Sequence, residues 1–258
     1  MNLWNDFRYA LRTLRSSPGF AAVAVITLAF GIGATTAMFS VSDAMLWKPI
    51  SLPHLETLAM VLGRVPAEPN SWDNLTPADS ADIVRQVKTL DGIASYEEGM
   101  ANVAGSSGQP QRALQALVTA NFFDVMQVQP AVGRGFQSGE DQPGRDREVI
   151  LSYGFWQRAY GGDSSIVGKN LRIDDQDCVV TGVMPSSFDF PLATEVWSPM
   201  ALTDAQRASR TSQNLVNVAR LRSGSTIPQA SAELDAISKR LQEAYPKTNT
   251  KRSFMLWP

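Results

Sequence analysis

The chain has 258 residues, 44% of them hydrophobic, with 23 Lys and Arg against 25 Asp and Glu. A formal charge of −2 lacks the basic footprint that phosphate binding needs, which excludes a nucleic-acid partner. One histidine, His54, and one cysteine, Cys178, leave no multi-histidine metal site, no serine–histidine–acid triad away from His54 and no internal disulfide.

Residues 1–17 read as a cytoplasmic amphipathic helix lying on the inner leaflet. Leu3, Phe7, Leu11 and Leu14 share one face, while Arg8, Arg12 and Arg15 lie elsewhere on the wheel. The plainer alternative is a charged cap on the helix that follows. That helix is predicted over residues 18–46. Residues 16–42 contain no charged side chain, and a bilayer core needs about 20 mostly apolar residues of helix. The apolar stretch outruns the about 7–15 residues of a signal peptide and continues through Met38, Phe39 and Val41, so it reads as a retained span. Thr27, Thr35 and Thr36 are tolerated because their hydroxyls can bond back to carbonyls one turn earlier. Arg8, Arg12 and Arg15 against Asp6 put the N-terminus in the cytoplasm and everything after Trp47 outside. Ala29, Gly33 and Ala37 recur every fourth residue, a small-residue face on which a partner helix can approach closely. Gly and Ala are also simply common in spanning helices.

With +2 on residues 1–16 and Asp43 in the span, residues 47–258 carry −3. They are enough for one or two globular cores. Leu58–Leu62 reads as a buried strand. Thr76 then caps a helix with Pro77 first and Asp79 third, predicted to run to about Leu90. A strand near Ile93–Tyr96 closes a first β-α-β pattern. Leu114–Thr119 is the next strand, Asn121 caps a short helix, and Pro130, Gly133 and Gly135 make an irregular loop. Glu148–Leu151 reads as a strand and Tyr153–Tyr160 as a helix. Two strands, Asn170–Ile173 and Asp177–Val183, are joined by a turn at Asp174-Asp175-Gln176, with Cys178 buried in the second. Val196–Pro199 is expected at a sheet edge because of its proline. Val216–Arg222, a helix from Ile227 to about Tyr245, and Phe254–Trp257 repeat β-α-β. The class is α+β: two β-α-β ends around a β-rich insert.

No catalytic, cofactor or metal constellation emerges. Gly162-Asp163-Ser164-Ser165-Ile166-Val167-Gly168-Lys169 has five residues between its glycines where a phosphate loop needs four, and Asn170 where it needs Ser or Thr. The acid pairs Glu97–Glu98, Glu140–Asp141 and Asp174–Asp175 read as solvated turn residues. Gly105-Ser106-Ser107-Gly108 reads as a hairpin tip rather than a nucleophile elbow.

Several separate stretches share a likeness. LRTLRSSPGFAAVAVITLAFGIGATTAMFSV (11–41), VGRGF (132–136), LSYGFWQRAYGGDSSIVGKNLRID (151–174), VVTGVMP (179–185) and SAELDAISKRLQEAYPKTN (231–249) together resemble the orphan duplicated permeases of the MacB/FtsX-type ABC-transporter family. The resemblance implies a bacterial inner-membrane protein with its bulk in the periplasm. It implies a Porter-like part at residues 47–105 and 212–258, and an inserted, β-rich, Sabre-like part at 106–211. It also implies three further membrane helices and a separate cytoplasmic ABC ATPase, which drives mechanotransmission or efflux rather than catalysis. This sequence carries one span and stops at Pro258 in a strand, so the remaining helices are expected from another chain or from a part outside this sequence. The alternatives are a single-span anchored binding domain that acts without a transporter, or a truncated remnant.

Overall fold

The computed structural model describes residues 18–46, 52–64, 72–104 and 110–258. The chain divides at Pro49 and Ile50 into two units. In the first, α1 (Pro18–Leu46) is one uninterrupted helix, and over Pro18–Thr36 it is long and apolar enough to cross a membrane. Thr27 donates to the Val23 carbonyl at 2.8 Å and Thr35 to Gly31 at 2.6 Å, so these hydroxyls are satisfied within the helix as expected. The predicted helix over residues 1–17, with Arg8, Arg12 and Arg15, lies outside the described residues, as does the tip at 105–109.

The second unit is α+β. Its described strands are β1 (Leu58–Arg64), β2 (Trp72–Asp73), β3 (Leu90–Ala104), β4 (Gln111–Val118), β5 (Val132–Gly133), β6 (Glu148–Leu151), β7 (Asn170–Ile173), β8 (Gln176–Val183), β9 (Val196–Pro199), β10 (Val216–Leu221) and β11 (Ser253–Trp257). Its helices are α2 (Pro77–Gln86), α3 (Phe122–Met126), α4 (Tyr153–Tyr160), α5 (Asp204–Arg207), α6 (Ile227–Ala244) and α7 (Pro246–Asn249). The sheet runs β11-β1-β10-β3-β4-β9-β6-β8-β5, with β2 beside β1. Strands from the two ends of the chain, β1, β10 and β11, therefore lie side by side. Because β7 pairs with both β3 and β8, the strands β3-β4-β9-β6-β8-β7 also close into a ring.

Three buried clusters follow. α6 and α2 bury Leu234, Ile237, Leu241 and Ile83 on the β1–β10–β11 end. α3 places Phe122, Phe123 and Met126 among Phe136, Phe188 and Trp197. α4 and the turn at Ser164–Ile166 add Phe155, Trp156 and Ile166 to the Val149, Leu171, Cys178 and Val180 cluster.

Local signals explain the element ends. Thr76, Ser152 and Thr226 each accept an amide hydrogen bond as N-caps of α2, α4 and α6. Asp174 and Asp175 both take positive φ, 44° and 70°, the conformation of a two-residue hairpin turn.

Four expectations are corrected. α2 ends at Gln86 rather than Leu90, because the Glu233 carboxylate on α6 accepts the Lys88 and Thr89 amides at 2.9 Å each and holds them out of the helix. β9 is fully buried between β4 and β6 and is not an edge. Its pairing with β6 uses only Val196 and Trp197, so the missing N–H of Pro199 leaves no gap in that ladder. Glu97 and Glu98 lie within β3, which pairs with β4 from Tyr96 to Val103, instead of in a turn. Within the Pro130–Gly135 segment, Val132 and Gly133 pair with β8.

Candidate functional site

On α1, Ala29 and Gly33 are exposed, and a Cβ built on Gly33 would meet nothing within 4 Å. Within the first unit, nothing among the described residues packs against Gly33 on the face they share. The side chain of Ala37 lies outside what is described.

In the second unit, described residues begin at Leu52, and the turn there is fastened by Arg220 on β10. Its guanidinium is buried. Nε donates to the Val125 carbonyl of α3 at 2.7 Å, Nη1 to the His54 carbonyl at 3.1 Å and to Thr57 Oγ1 at 2.6 Å, and Nη2 to the Pro53 carbonyl at 3.3 Å. Arg220 makes no ion pair among the described residues, and burial pushes its pKa down. A cation held by three carbonyls and one hydroxyl joins three segments: the turn at residues 53–57, the central sheet, and α3. His54 itself takes φ 51°, as a turn residue does.

A second polar hub joins α2 to the C-terminal helices. Asp79, expected to serve the helix terminus, is wholly buried. Its Oδ1 accepts from Arg210 Nη1 and from Asn249 Nδ2, both at 2.8 Å, and Arg252 Nη1 stands 3.5 Å from Oδ2. Arg210 also donates to Asp82 Oδ2 at 2.6 Å, and its guanidinium carbon lies 3.4 Å from the centroid of the Tyr245 ring. Burial alone lowers the Arg210 pKa, but its bond to Asp82 and the two carboxylates outweigh that and raise it.

Beside this hub lies an open cleft of about 780 Å³. Ala81, Val84, Met200 and Arg207 line it, together with the buried Ser80 and Ser95. Both serines donate to Asn217 Oδ1, at 2.6 and 2.7 Å. The cleft is in the size range of small-molecule sites. A separate groove of about 250 Å³ is lined only by apolar residues, among them Leu52, Leu55, Met60, Met126, Phe190 and Trp257.

The remaining sequence candidates lie apart from these features. In the phosphate-loop lookalike, Lys169 Nζ contacts Ser165 Oγ at 2.8 Å and Asp163 at 3.6 Å, so the loop's one cation is engaged inside the loop. Glu140 pairs with Arg134, and Asp141 accepts the Ala120 amide at 3.0 Å. Among the described residues no cluster of His, Cys, Asp and Glu is placed to hold a metal. Sequence reasoning missed Arg220 and Arg210. The one available signal was an arginine inside the mostly apolar VNVARL strand.

The model of the MacB-like periplasmic core domain family matches residues 21–237. No curated protein matches the chain. Solved structures share the fold, among them the following three. A domain of a protein described as a permease from Porphyromonas gingivalis aligns at 15% identity with a TM-score of 0.62, over 81% of this chain and 92% of that one. The periplasmic region of MacB from Actinobacillus actinomycetemcomitans aligns at 13% and 0.56, over 77% and 88%. The extracellular domain of the noncanonic ABC-type transporter YknZ from Gram-positive bacteria aligns at 13% and 0.54, over 78% and 100%.

Proposed function

We infer that this chain, which belongs to the family of MacB-like periplasmic core domains, is the N-terminal part of an ABC-transporter permease. Its role is to couple ATP-driven motion of partner subunits to a core domain outside the inner membrane, for efflux or mechanotransmission. The observation that carries this reading is the Arg220 clamp. A span that moves must pull on the chain that follows it, and Arg220 fixes that chain to the sheet and to α3 at once. Residues 47–105 with 212–258 act as the part continuous with the span, and 106–211 as the insert that meets a partner or substrate. The pairing of β1, β10 and β11 from opposite ends of the chain supports that division. Arg8, Arg12 and Arg15 hold the N-terminus on the cytoplasmic surface. A separate cytoplasmic ABC ATPase supplies the energy.

Ala29, Gly33 and Ala37 receive a membrane helix of another permease segment. Purification of the full chain from membranes in mild detergent is expected to recover such a segment and the ATPase, and Gly33→Leu is expected to weaken that recovery severalfold by filling the close-approach face. Unchanged recovery would remove the helix-packing role. Arg220→Met is expected to raise hydrogen exchange about tenfold or more at amides 54–57 and in α3 together, because both lose the same donor. Faster exchange at only one of them would mean that Arg220 does not link them.

The 780 Å³ cleft favours a second reading, a single-span anchored binding domain that works alone. A small ligand bound at micromolar strength by the chain purified without partners would support it.

A further inference from the structure

Asn217, wholly buried on β10, donates from Nδ2 to the Leu215 carbonyl at 3.0 Å. That bond fixes which way its amide points, so Oδ1 faces Ser80 on α2 and Ser95 on β3. A serine hydroxyl has a single proton, and both protons go to this one oxygen, at 2.6 and 2.7 Å. The two serine oxygens stand 3.3 Å apart, and with their protons spent neither can donate to the other. Among the described residues no further donor reaches them. Two side chains that are each only 5% exposed thus offer lone pairs alone to the 780 Å³ cleft that both line.

The cations around this cleft are already engaged. Arg210 is held by Asp79 and Asp82, and Arg85 by Asp82. Arg207, though not ion-paired, is held by the Leu202 carbonyl at 3.0 Å and by Gln142 Oε1 at 2.8 Å. Asp141 and Asp204 also line the cleft and form no ion pair among the described residues. The remaining surface is aliphatic, with Ala81, Met200 and the half-exposed Val84.

A ligand that fits must bring donors to the two serines and an apolar body to the aliphatic side. A hydroxyl has one proton and serves one serine, and a carboxylate has none and meets only lone pairs. A primary ammonium has three protons, enough for both oxygens, and carries the charge that Asp141 and Asp204 favour. We propose that the cleft binds an aliphatic primary amine, its ammonium shared between Ser80 Oγ and Ser95 Oγ and its alkyl chain against Ala81, Val84 and Met200. This rests on the reading of the cleft as a ligand site, and it names the class of ligand.

The test follows the Met200 methyl signal of the full chain, labelled with carbon-13 methyl methionine in mild detergent and identified by its absence from Met200→Leu. The probes are n-butylamine, n-butanol and butyrate at neutral pH, where the amine is protonated. n-Butylamine is expected to shift the signal saturably, and the other two to bind about tenfold more weakly, since hydrogen bonds from a charged donor are the stronger. Ser95→Ala is expected to weaken n-butylamine binding about tenfold and to leave n-butanol unchanged. Ser80→Ala replaces that variant if it misfolds, and the three probes on the native chain decide without either. Equal shifts by n-butylamine and n-butanol would overturn the ammonium site and leave the cleft to apolar ligands. No shift by any probe would overturn the cleft as a ligand site altogether.

Discussion

Asp79→Ala is expected to lower the stability of the core domain by about 3–5 kcal/mol, the cost of removing one member of a buried ion-pair cluster, with Arg210 keeping only Asp82 and Arg252 losing its carboxylate. For a unit of this size that corresponds to a fall in Tm of roughly 6–20 °C. The argument rests on what remains after the substitution. Arg252 is almost fully buried and Arg210 only 15% exposed at its side chain, so neither can rehydrate without moving. Asn249, itself buried, loses its acceptor as well. Oδ2 of Asp79 has no hydrogen-bond partner within the structure and only the 3.5 Å approach of Arg252, which pulls the expected loss toward the lower end of the range. Asp79→Asn separates charge from shape. It keeps an acceptor for one donor while removing the ion pairs, and should fall between the native chain and Asp79→Ala. Thermal melts of the three proteins in the same detergent decide the matter. A loss below about 1 kcal/mol for Asp79→Ala would show that Arg210 and Arg252 find water or other acceptors, and that the hub does not hold α2 to the C-terminal helices.

The same residue shows where sequence reading stops. An acid in the third position of a helix is a local signal, and α2 does begin at Pro77 with Thr76 as its cap. Nothing local says that the carboxylate turns inward to Arg210, 131 residues away. The long apolar helix, the caps at Ser152 and Thr226 and the Asp174–Asp175 turn were legible because each is decided by neighbours within a few residues. The end of α2 was not, since Glu233 sets it from 144 residues further along. Nor was the place of β9, whose proline suggested an edge while its partners come from β4 and β6. The clamp at Arg220 was hidden for the same reason, its acceptors lying 95 to 167 residues away.

This distance rule also bears on coupling. Arg220, Glu233 and Arg210 each join segments that lie far apart in sequence, so displacement of one segment is resisted by another rather than absorbed in a loop. A domain that passes motion from a membrane helix to a distant surface needs such cross-links, and buried polar contacts supply them with fixed direction and length.

Gly133→Ala is expected to destabilise the domain by about 2–5 kcal/mol, combining the cost of a left-handed conformation with that of overpacking. Gly133 has φ +78°, and a Cβ there would lie 2.2 Å from the Thr181 carbonyl oxygen and 2.9 Å from the Gly182 Cα. Both obstacles are backbone, so neither can swing aside. Gly133 and Gly182 are register partners in the β5–β8 pair, and a Cβ on Gly182 would in turn meet the Arg134 carbonyl oxygen at 2.6 Å. Two strands approach at a point where neither has a side chain. The VGRGF stretch contains its own control. Gly135, two residues on, has nothing within 4 Å of a built Cβ and no left-handed φ, so Gly135→Ala should stay within about 0.5 kcal/mol of the native chain. Urea unfolding of the two variants separates the geometric need for glycine from its mere presence in the motif. Equal losses would mean that the stretch tolerates or rejects side chains as a unit. A loss confined to Gly133→Ala would place the constraint at the contact between β5 and β8, where a strand of the ring meets the segment after α3.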